Sequence, residues 1–347
     1  MRDLIERVWF GEDIFARAAR LALTPTEVLY RASVATRELL YNAGVLTTHQ
    51  PALPAVSIGN VTVGGTGKTP IAAWIAGQLL DRGARPAVVL RGYGDDEPLV
   101  HARLNPTVPV IVATDRVSGI LSAQQAGATV AVLDDAFQHR QVSRAVDFVL
   151  VSADQWSAAP RLLPIGPLRE PLVALKRATM VLVTRKAASD HEVDVVNEAL
   201  AGIAPRVPRS TVWLAPEELR AANALPGGDE RLPLSALSGR SVRVMTAIAD
   251  PRAFLRQLES FGARISAELY QDHHHFEPEE ISRFARSIPP DGLAICTLKD
   301  AVKLSNLWPR EAATLWYVSQ RVSVERGVGG VEHVLDELTR LLGGRER

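Results

Sequence analysis

The chain has 347 residues, of which 47% are hydrophobic and 22% are charged, as expected for a globular protein with a substantial core. Lysines and arginines number 39, as do aspartates and glutamates, so no overall positive charge favours nucleic acid as a partner. The one cysteine, Cys296, lies in the apolar run LAICTL. This excludes a disulfide framework or a multi-cysteine metal site and predicts a buried side chain in a reduced, cytoplasmic protein.

Residues 1–45 predict two amphipathic helices that are split at Thr24-Pro25. In the second helix, Val28 and Leu39 belong to an apolar stripe at helical spacing. The segment has six basic and six acidic side chains, so attraction to anionic lipid is not built in. The residues alone favour packing of the stripe on the protein core, and the alternative is a surface that dips into a bilayer. The acidic start predicts no signal peptide, and no apolar run approaches the length of a membrane span.

From residue 54 onward, six apolar runs alternate with helical stretches. Each run is continuously apolar, as in strands that are buried on both faces of a parallel sheet. We therefore predict a doubly wound α/β domain. The runs cover 54–58, 84–90, 108–114, 128–135, 147–153 and 179–185, and two of the predicted helices cover 69–82 and 116–126.

The stretch GNVTVGGTGKTP at 59–70 joins the first of these strands to a helix. The strict phosphate-loop pattern requires glycine where this chain has Thr62, but the Gly-Lys-Thr end of the pattern is present. A glycine-rich turn at a helix N-terminus directs several backbone N–H groups at one anion. We therefore expect Lys68 to reach the terminal phosphates of a nucleotide and the hydroxyl of Thr69 to bind Mg²⁺.

The predicted strand at 128–135 ends in two adjacent carboxylates, Asp134 and Asp135. Ligands of open α/β sheets bind at this edge, beyond the carboxyl ends of the strands. An aspartate pair after a strand is usually a turn or a helix cap. After a phosphate loop, however, Mg²⁺ requires hard oxygen ligands, and we expect one of the two to hold the ion directly or through water.

The Pro- and Gly-rich stretch 205–240 predicts a linker or hinge. A second α/β set follows it, with strands at 241–247, 265–271, 293–298 and 313–319 and a helix at 330–342. The predicted organisation is an N-terminal amphipathic helical segment at 1–45, a mostly parallel core of the P-loop NTPase type at 46–236, and a smaller α/β domain at 237–347.

Three consecutive histidines, 273–275, follow Asp272 in the second part of the chain. A zinc site is the weaker interpretation, because neighbouring side chains point in different directions. A loop histidine beside acids suits general-base catalysis, and an ordinary surface histidine is equally consistent with the sequence.

Seven stretches, VTVGGTGKTP, RGYG, DEP, LDDAFQH, GPLREP, DHHHF and TLKDAVK, occur in an order that resembles the tetraacyldisaccharide 4′-kinases of lipid A synthesis. The similarity extends from WFGE near the N-terminus to TLKDAVK at 297–303. It implies transfer of the γ-phosphoryl group of ATP, with Mg²⁺, to the 4′-hydroxyl of an acylated disaccharide 1-phosphate. It also implies a peripheral protein on the cytoplasmic face of the inner membrane, with that lipid surface as a partner. This makes the bilayer interpretation of residues 1–45 the better one.

The resemblance also implies roles for individual residues. Asp96 and His273 match a dyad that activates the sugar hydroxyl, with Lys68 acting at the phosphates. Asp134 and Asp135 match the metal acids, beside Thr69. The nucleotide segment and the charged groups around the phosphates are Thr62, Val63, Gly64, Gly65, Thr66, Gly67, Lys68, Thr69, Arg116, Arg169 and Glu170.

The chain departs from the family pattern at three places. RGYG and DEP are fused as RGYGDDEP, which leaves Asp95 a rival to Asp96, while Ala136 replaces a glycine and Leu298 replaces an acid.

Two other functions share a loop that ends in Gly-Lys-Thr. A partitioning-type switch ATPase would carry a second lysine where this chain has Val63. A nucleotide-dependent carboxylase or synthetase has no evident need for a paired acid and histidine.

Overall fold

One mixed sheet of twelve strands is the framework of the molecule. The computed structural model describes residues 2–92, 94, 96–222, 230–249 and 251–343. The strands are β1 (Ala55–Asn60), β2 (Pro86–Leu90), β3 (Val110–Val112), β4 (Val130–Asp134), β5 (Val146–Ser152), β6 (Met180–Arg185), β7 (Arg209–Ala221), β8 (Arg231–Pro233), β9 (Ser241–Thr246), β10 (Arg264–Leu269), β11 (Leu293–Thr297) and β12 (Leu315–Arg326). The α-helices are α1 (Arg2–Phe10), α2 (Ile14–Asn42), α3 (Lys68–Asp81), α4 (Asp96–Leu104), α5 (Arg116–Gln125), α6 (Asp190–Ile203), α7 (Pro251–Ser260), α8 (Pro278–Arg286), α9 (Leu298–Leu304) and α10 (Val328–Gly343). Short 3₁₀ helices lie at Leu172–Arg177 and Leu234–Leu237.

The strand order is β10-β9-β11-β12-β7-β6-β5-β1-β4-β2-β3, and β8 pairs with β7. Strand β7 pairs with β12 and with β8 in antiparallel orientation, and all other neighbouring strands are parallel. Two parallel halves are therefore joined through the antiparallel pair β7–β12. Strands β1, β2 and β4 are buried along their whole length, as their continuous apolar runs predicted. The predicted mostly parallel α/β fold is confirmed.

The predicted linker at 205–240 is wrong over much of its length, because 209–221 form β7 in the middle of the sheet. A proline inside a central strand usually argues against the strand. Here Pro216 faces Gln320 beside a register shift of the β7–β12 ladder, where the lost N–H is tolerated. The part of the predicted linker at 223–229 lies outside the described residues.

The last helix, α10, returns to the first half of the sheet. Its buried residues Val331, Leu335 and Leu338 share a hydrophobic cluster with Ile71 and Ile75 of α3. The second half has its own clusters, one of which contains Cys296, fully buried as predicted. The division of the chain near residue 237 stays a prediction, since the sheet continues through both parts.

The N-terminal helices are split at residues 11–13 and not at Thr24-Pro25, as the sequence had predicted. Asp13 caps α2 by accepting a hydrogen bond from the N–H of Ala16 at 3.2 Å. Pro25 then lies inside the 29-residue helix. Its missing N–H is tolerated because it lies on the exposed side, where water can reach the freed carbonyl. Proline in the sequence marked a weak point of the helix but not its end.

One face of α2 packs on the protein and the other carries apolar side chains into solvent. On the packed face, Glu27 accepts from the N–H of Leu162 at 3.3 Å, and the Tyr30 hydroxyl donates to the carbonyl of Arg169 at 2.9 Å. On the outer face, the predicted stripe is exposed rather than packed on the core. The large apolar side chains exposed on α2, with the exposed fraction of each, are Ile14 (86%), Phe15 (45%), Leu21 (76%), Val28 (56%), Leu29 (70%) and Leu39 (67%). Among the described helices, none combines the length and the apolar character needed to cross a bilayer.

Candidate active site

A cleft of about 1,030 Å³ lies between the two halves of the sheet. Residues 63–70 line it from the first half, together with Asp134 and Arg169. From the second half it is lined by His273 and Lys299, among others. Its volume is at the upper end of the range for small-molecule sites, so it can hold a nucleotide and part of a second substrate together.

The loop between β1 and α3 adopts a conformation that requires glycine. Gly64 and Gly67 have φ angles of 123° and 88°, in the region that side chains other than glycine rarely adopt. A Cβ at Gly67 would also come within 2.3 Å of a methyl group of Leu214. The turn ends at Lys68, where α3 begins, and the first N–H groups of a helix have no acceptor within it. Those of Lys68 and Thr69 therefore suit an anion.

The beginning of the same loop is held by the segment 161–169. Thr62 forms an antiparallel bridge with Leu168, and the N–H of Val63 donates to the carbonyl of Pro167 at 2.8 Å. A β-region residue fits this position, which accounts for threonine where the strict pattern has glycine. The N–H of Val63 is therefore used within the protein.

Side chains from neighbouring strands hold the middle of the loop. The amide of Asn60 donates to the hydroxyl of Thr66 at 3.0 Å. The hydroxyl of Thr184 donates to the carbonyl of Thr66, and the ammonium of Lys186 to that of Gly65, each at 3.0 Å. The loop is thus preorganised by contacts with β1 and the end of β6.

The two carboxylates at the end of β4 have different surroundings. Asp134 is 3% exposed, its Oδ2 lies 3.0 Å from His101 Nε2, and its Oδ1 is buried without a hydrogen bond among the described residues. Burial raises the pKa of Asp134, but the His101 hydrogen bond and the charge of Lys68 outweigh burial, so the pKa lies below its ordinary value. Asp135 instead places both oxygens 2.9 and 3.0 Å from Arg169 Nη1, and its Oδ1 is 3.8 Å from Lys68 Nζ. Of the two carboxylates, only Asp134 has an oxygen without a partner at hydrogen-bonding distance among the described residues, and the nearby hydroxyl of Thr69 also lowers the pKa of Asp134.

Two of the predicted phosphate residues are engaged within the protein. Arg116 lines the cleft but is 4% exposed, and it donates to the carbonyls of Asp134 and Ala113 at 2.9 and 3.1 Å. Glu170 is 5% exposed and lies 2.6 Å from Arg177 Nη2. Arg116 therefore fixes the end of β4, and a direct role of either residue at the phosphates stays a prediction.

The structure brings Asp96 and His273 together from opposite halves of the sheet. Asp96 opens α4 and is 1% exposed, and its Oδ1 lies 3.0 Å from His273 Nδ1. His273 has a φ angle of 61°, which turns the loop sharply at this residue. Lys299 Nζ lies 3.2 Å from His273 Nε2 and 3.5 Å from Asp96 Oδ2. Asp95, the rival acid, lies outside the described residues.

These contacts shift the pKa values of the acids and the histidine. Burial raises the pKa of Asp96, but the His273 hydrogen bond and the Lys299 charge lower it to about 2. The hydrogen bond to Asp96 raises the pKa of His273, against burial and the Lys299 charge. Burial and the nearby charge of Asp134 raise the pKa of Glu97 to about 7. Shifts of this kind concentrate at functional sites.

The sequence had not singled out three residues of this site. Glu97 and Lys299 lie inside DEP and TLKDAVK, so the motifs held a signal that could have found them. His101 gave no signal, because one histidine in a short helix is an ordinary surface residue in most proteins. Glu97 and His101 are one helical turn apart on α4, which brings both near Asp134.

Comparison with known proteins gives concordant matches. The family model of tetraacyldisaccharide-1-P 4′-kinase, LpxK, matches residues 19–96 and 94–340. A tetraacyldisaccharide 4′-kinase of Anaeromyxobacter dehalogenans is 36% identical over 364 residues, covering 96% of this chain and 94% of its own. That of Halorhodospira halophila is 34% identical and covers 96% of both chains. The crystal structure of LpxK from Aquifex aeolicus in complex with ATP is 24% identical, with a TM-score of 0.71 over 92% of this chain and 99% of its own, and has the same fold.

Proposed function

The chain belongs to the tetraacyldisaccharide-1-P 4′-kinase family, and we infer that it transfers the γ-phosphoryl group of ATP to the 4′-hydroxyl of a tetraacyldisaccharide 1-phosphate in lipid A synthesis. One observation carries this function. The glycine-rich loop lines the cleft from the first half of the sheet, and His273, paired with Asp96, reaches the cleft from the second half. Both an ATPase and a kinase need a group that orients or activates the attacking oxygen, and a base carried by the opposite wall of so large a cleft suits the hydroxyl of a separate acceptor.

We propose that the loop 62–69 holds the phosphates of ATP through residues 64–69, since Thr62 and Val63 are bonded to the segment 161–169, with Lys68 and Arg169 as the cations beside the phosphates. In the structure both cations face Asp135, at 3.8 and 2.9 Å. The γ-phosphate offers them a stronger partner, since it carries more charge than one carboxylate. Phosphoryl transfer depends mainly on positioning and charge stabilisation, which these groups supply.

The donor set at the end of β4 fits Mg²⁺. This ion usually takes one or two carboxylates and completes its shell with water and phosphate oxygens. Larger groups of three or more metal-ligating side chains are absent from the described residues. Oδ1 of Asp134 is buried without a hydrogen bond among those residues, and a cation would satisfy it.

We propose that Asp134 and Thr69 hold the ion. Asp135, whose oxygens accept from Arg169, would contact the ion through a water molecule. When bound, the ion neutralises charge on the phosphate oxygens.

The acid–histidine pair is arranged to take a proton from the acceptor. His273 donates from Nδ1 to Asp96, which leaves the lone pair on Nε2. In the structure this lone pair faces the ammonium of Lys299 at 3.2 Å, and the 4′-hydroxyl would replace that contact and give its proton to Nε2. The hydroxyl oxygen then bonds to the γ-phosphorus, and the bond from that phosphorus to the bridging oxygen of ADP breaks. The charge of Asp96 stabilises the imidazolium that forms, and Lys299 places a positive charge beside the attacking oxygen.

We propose that α1 and α2 bind the cytoplasmic face of the inner membrane, where the acylated acceptor resides. The outer face of α2 supports this, since Leu21 and Leu29 are 76% and 70% exposed. Each such side chain contributes about 1.5–3 kcal/mol when it is fully buried in an apolar phase. The contacts of Glu27 and Tyr30 fix this face relative to the segment that carries Arg169.

A transfer assay tests the function. The purified protein is incubated with γ-³²P-labelled ATP, Mg²⁺ and tetraacyldisaccharide 1-phosphate in mixed detergent micelles. We expect one labelled 1,4′-bisphosphate for each ADP released, and no transfer to the same lipid with its 4′-hydroxyl methylated. Release of ADP at the same rate without lipid would instead support a switch ATPase, and no label at the 4′ position would refute the proposal.

A further inference from the structure

Helix α4 contains a buried histidine that has no part in the proposed reaction. His101 is 1% exposed, and its Nε2 lies 3.0 Å from Oδ2 of Asp134. Its other ring nitrogen, Nδ1, is buried and makes no hydrogen bond among the described residues. The polar edge of this ring is therefore directed at one carboxylate.

The direction of this hydrogen bond follows from the acceptor. An ionised carboxylate has only acceptor sites, so His101 must donate from Nε2. The bond occupies Oδ2 of Asp134 and leaves Oδ1 without a partner among the described residues. Because one oxygen is held, the plane of the carboxylate is fixed, and the free oxygen cannot turn away from the site.

The same bond ties two parts of the site together. Asp96 and Glu97 form the first turn of α4, and His101 follows one turn after Glu97. Asp134 is the last residue of β4. The contact between His101 and Asp134 thus sets the position of the helix that carries the dyad acid relative to the strand that carries the metal acid.

We propose that His101 is a positioning residue, which orients the carboxylate of Asp134 for the magnesium ion and fixes α4 beside the phosphate loop. This inference rests on the proposed kinase function. Hydrogen bonds to ligating groups from the surrounding shell typically change metal affinity or activity by about 10–100-fold. A histidine that only filled space in the core would contribute to stability and leave metal affinity unchanged.

The test compares variants that keep or remove the donor. In His101→Gln the side-chain amide reaches the position of Nε2, whereas His101→Leu keeps the bulk and removes the donor. Binding of Mn²⁺ is measured by electron paramagnetic resonance with a non-hydrolysable ATP analogue. The Mg²⁺ concentration for half-maximal turnover is measured in parallel. We expect His101→Leu to lower the affinity for Mn²⁺ by about 10–100-fold and to raise the Mg²⁺ concentration for half-maximal turnover by a similar factor. In His101→Gln both quantities should stay within about threefold of wild type.

Controls separate orientation from stability. Val108→Ala truncates a buried residue near α4 and should lower Tm without changing Mn²⁺ affinity. If His101→Leu does not fold, His101→Asn replaces it, because the shorter amide reaches only the position of Nδ1 and should weaken Mn²⁺ binding as the leucine would.

The outcomes distinguish this inference from the function on which it rests. If the wild-type protein does not phosphorylate the lipid acceptor, the proposed function fails. If the wild-type protein is active and the donor-free variant binds Mn²⁺ as tightly as wild type, the positioning role of His101 is refuted while the function stands.

Discussion

Replacing Asp96 by asparagine should remove most of the turnover and leave ATP binding nearly unchanged. The carboxylate is 1% exposed and its Oδ1 lies 3.0 Å from His273 Nδ1, on the side of the ring away from the nitrogen that takes the proton. The substitution keeps the shape of the side chain and removes its charge. It therefore tests the electrostatic role of the pair with little change in packing.

The magnitude follows from the pKa of the acid. Although burial raises it, the His273 hydrogen bond and the Lys299 charge lower the pKa of Asp96 from 3.8 to about 2. One pKa unit corresponds to about 1.4 kcal/mol. Lys299 accounts for part of the shift and His273 is 36% exposed, so we take about 2 kcal/mol as the stabilisation of the imidazolium. Its loss should lower kcat about 30-fold, and more if the asparagine amide holds the wrong tautomer of the ring.

The assay is a double-mutant cycle of kcat at saturating ATP and lipid acceptor. If Asp96 acts through the imidazole, Asp96→Asn combined with His273→Ala should reduce kcat much less than the product of the two single effects. The pH profile gives a second reading. The hydrogen bond to Asp96 raises the pKa of His273, and the base must be unprotonated. Wild-type kcat should therefore rise with pH through that raised value, and in Asp96→Asn this limb should move to lower pH.

Three results would refute this reasoning. Independent effects that multiply would show that the two residues do not act as one unit. A pH limb that stays in place in Asp96→Asn would show that the carboxylate does not set the pKa of His273. Loss of turnover in Asp95→Asn with an active Asp96→Asn would show that the neighbouring acid is the partner.

Lys68→Ala should lower lipid-dependent ADP release by about 100-fold or more, because it removes the charge beside the transferred phosphoryl group, and wild-type turnover would contradict the phosphate-loop assignment. Asp134→Asn should raise the Mg²⁺ concentration for half-maximal turnover more than Asp135→Asn does, since only Asp134 has a free buried oxygen, and equal shifts would argue against this ligand choice. Replacing Leu21 and Leu29 by serine should weaken liposome binding and raise KM for the lipid with little change in kcat. Binding to liposomes should also depend little on salt, and a strong salt effect would indicate a basic patch instead of apolar burial.

The sequence predicted the strands of the parallel sheet because their signal is local. A strand buried on both faces must be apolar along its whole length, and this requirement does not depend on which strand lies beside it. The runs at 54–58 and 128–135 accordingly correspond to β1 and β4. The signal of the glycine-rich loop is local in the same sense. Gly67 has a positive φ angle, which glycine adopts at no steric cost and other residues rarely adopt, so the residue type alone indicates the turn.

Proline misled the sequence analysis twice, since its effect depends on surroundings that the sequence does not show. Pro25 did not end α2, because it lies on the exposed side of the helix. The prolines of 205–240 predicted a linker, but Pro216 sits beside a register shift of the central ladder. At Pro25 water can reach the carbonyl that loses its partner, and at Pro216 the register shift already interrupts the ladder.

The sequence by itself determined the strands of the parallel sheet, the glycine-rich loop and, through the resemblance to a family, the pairing of Asp96 with His273 across 177 positions. Only the tertiary structure decided which oxygen each carboxylate leaves free, and only it placed His101 against Asp134. The reason is physical. A local pattern fixes the backbone of a segment, whereas a hydrogen bond between side chains of α4 and β4 depends on how that helix packs on the sheet.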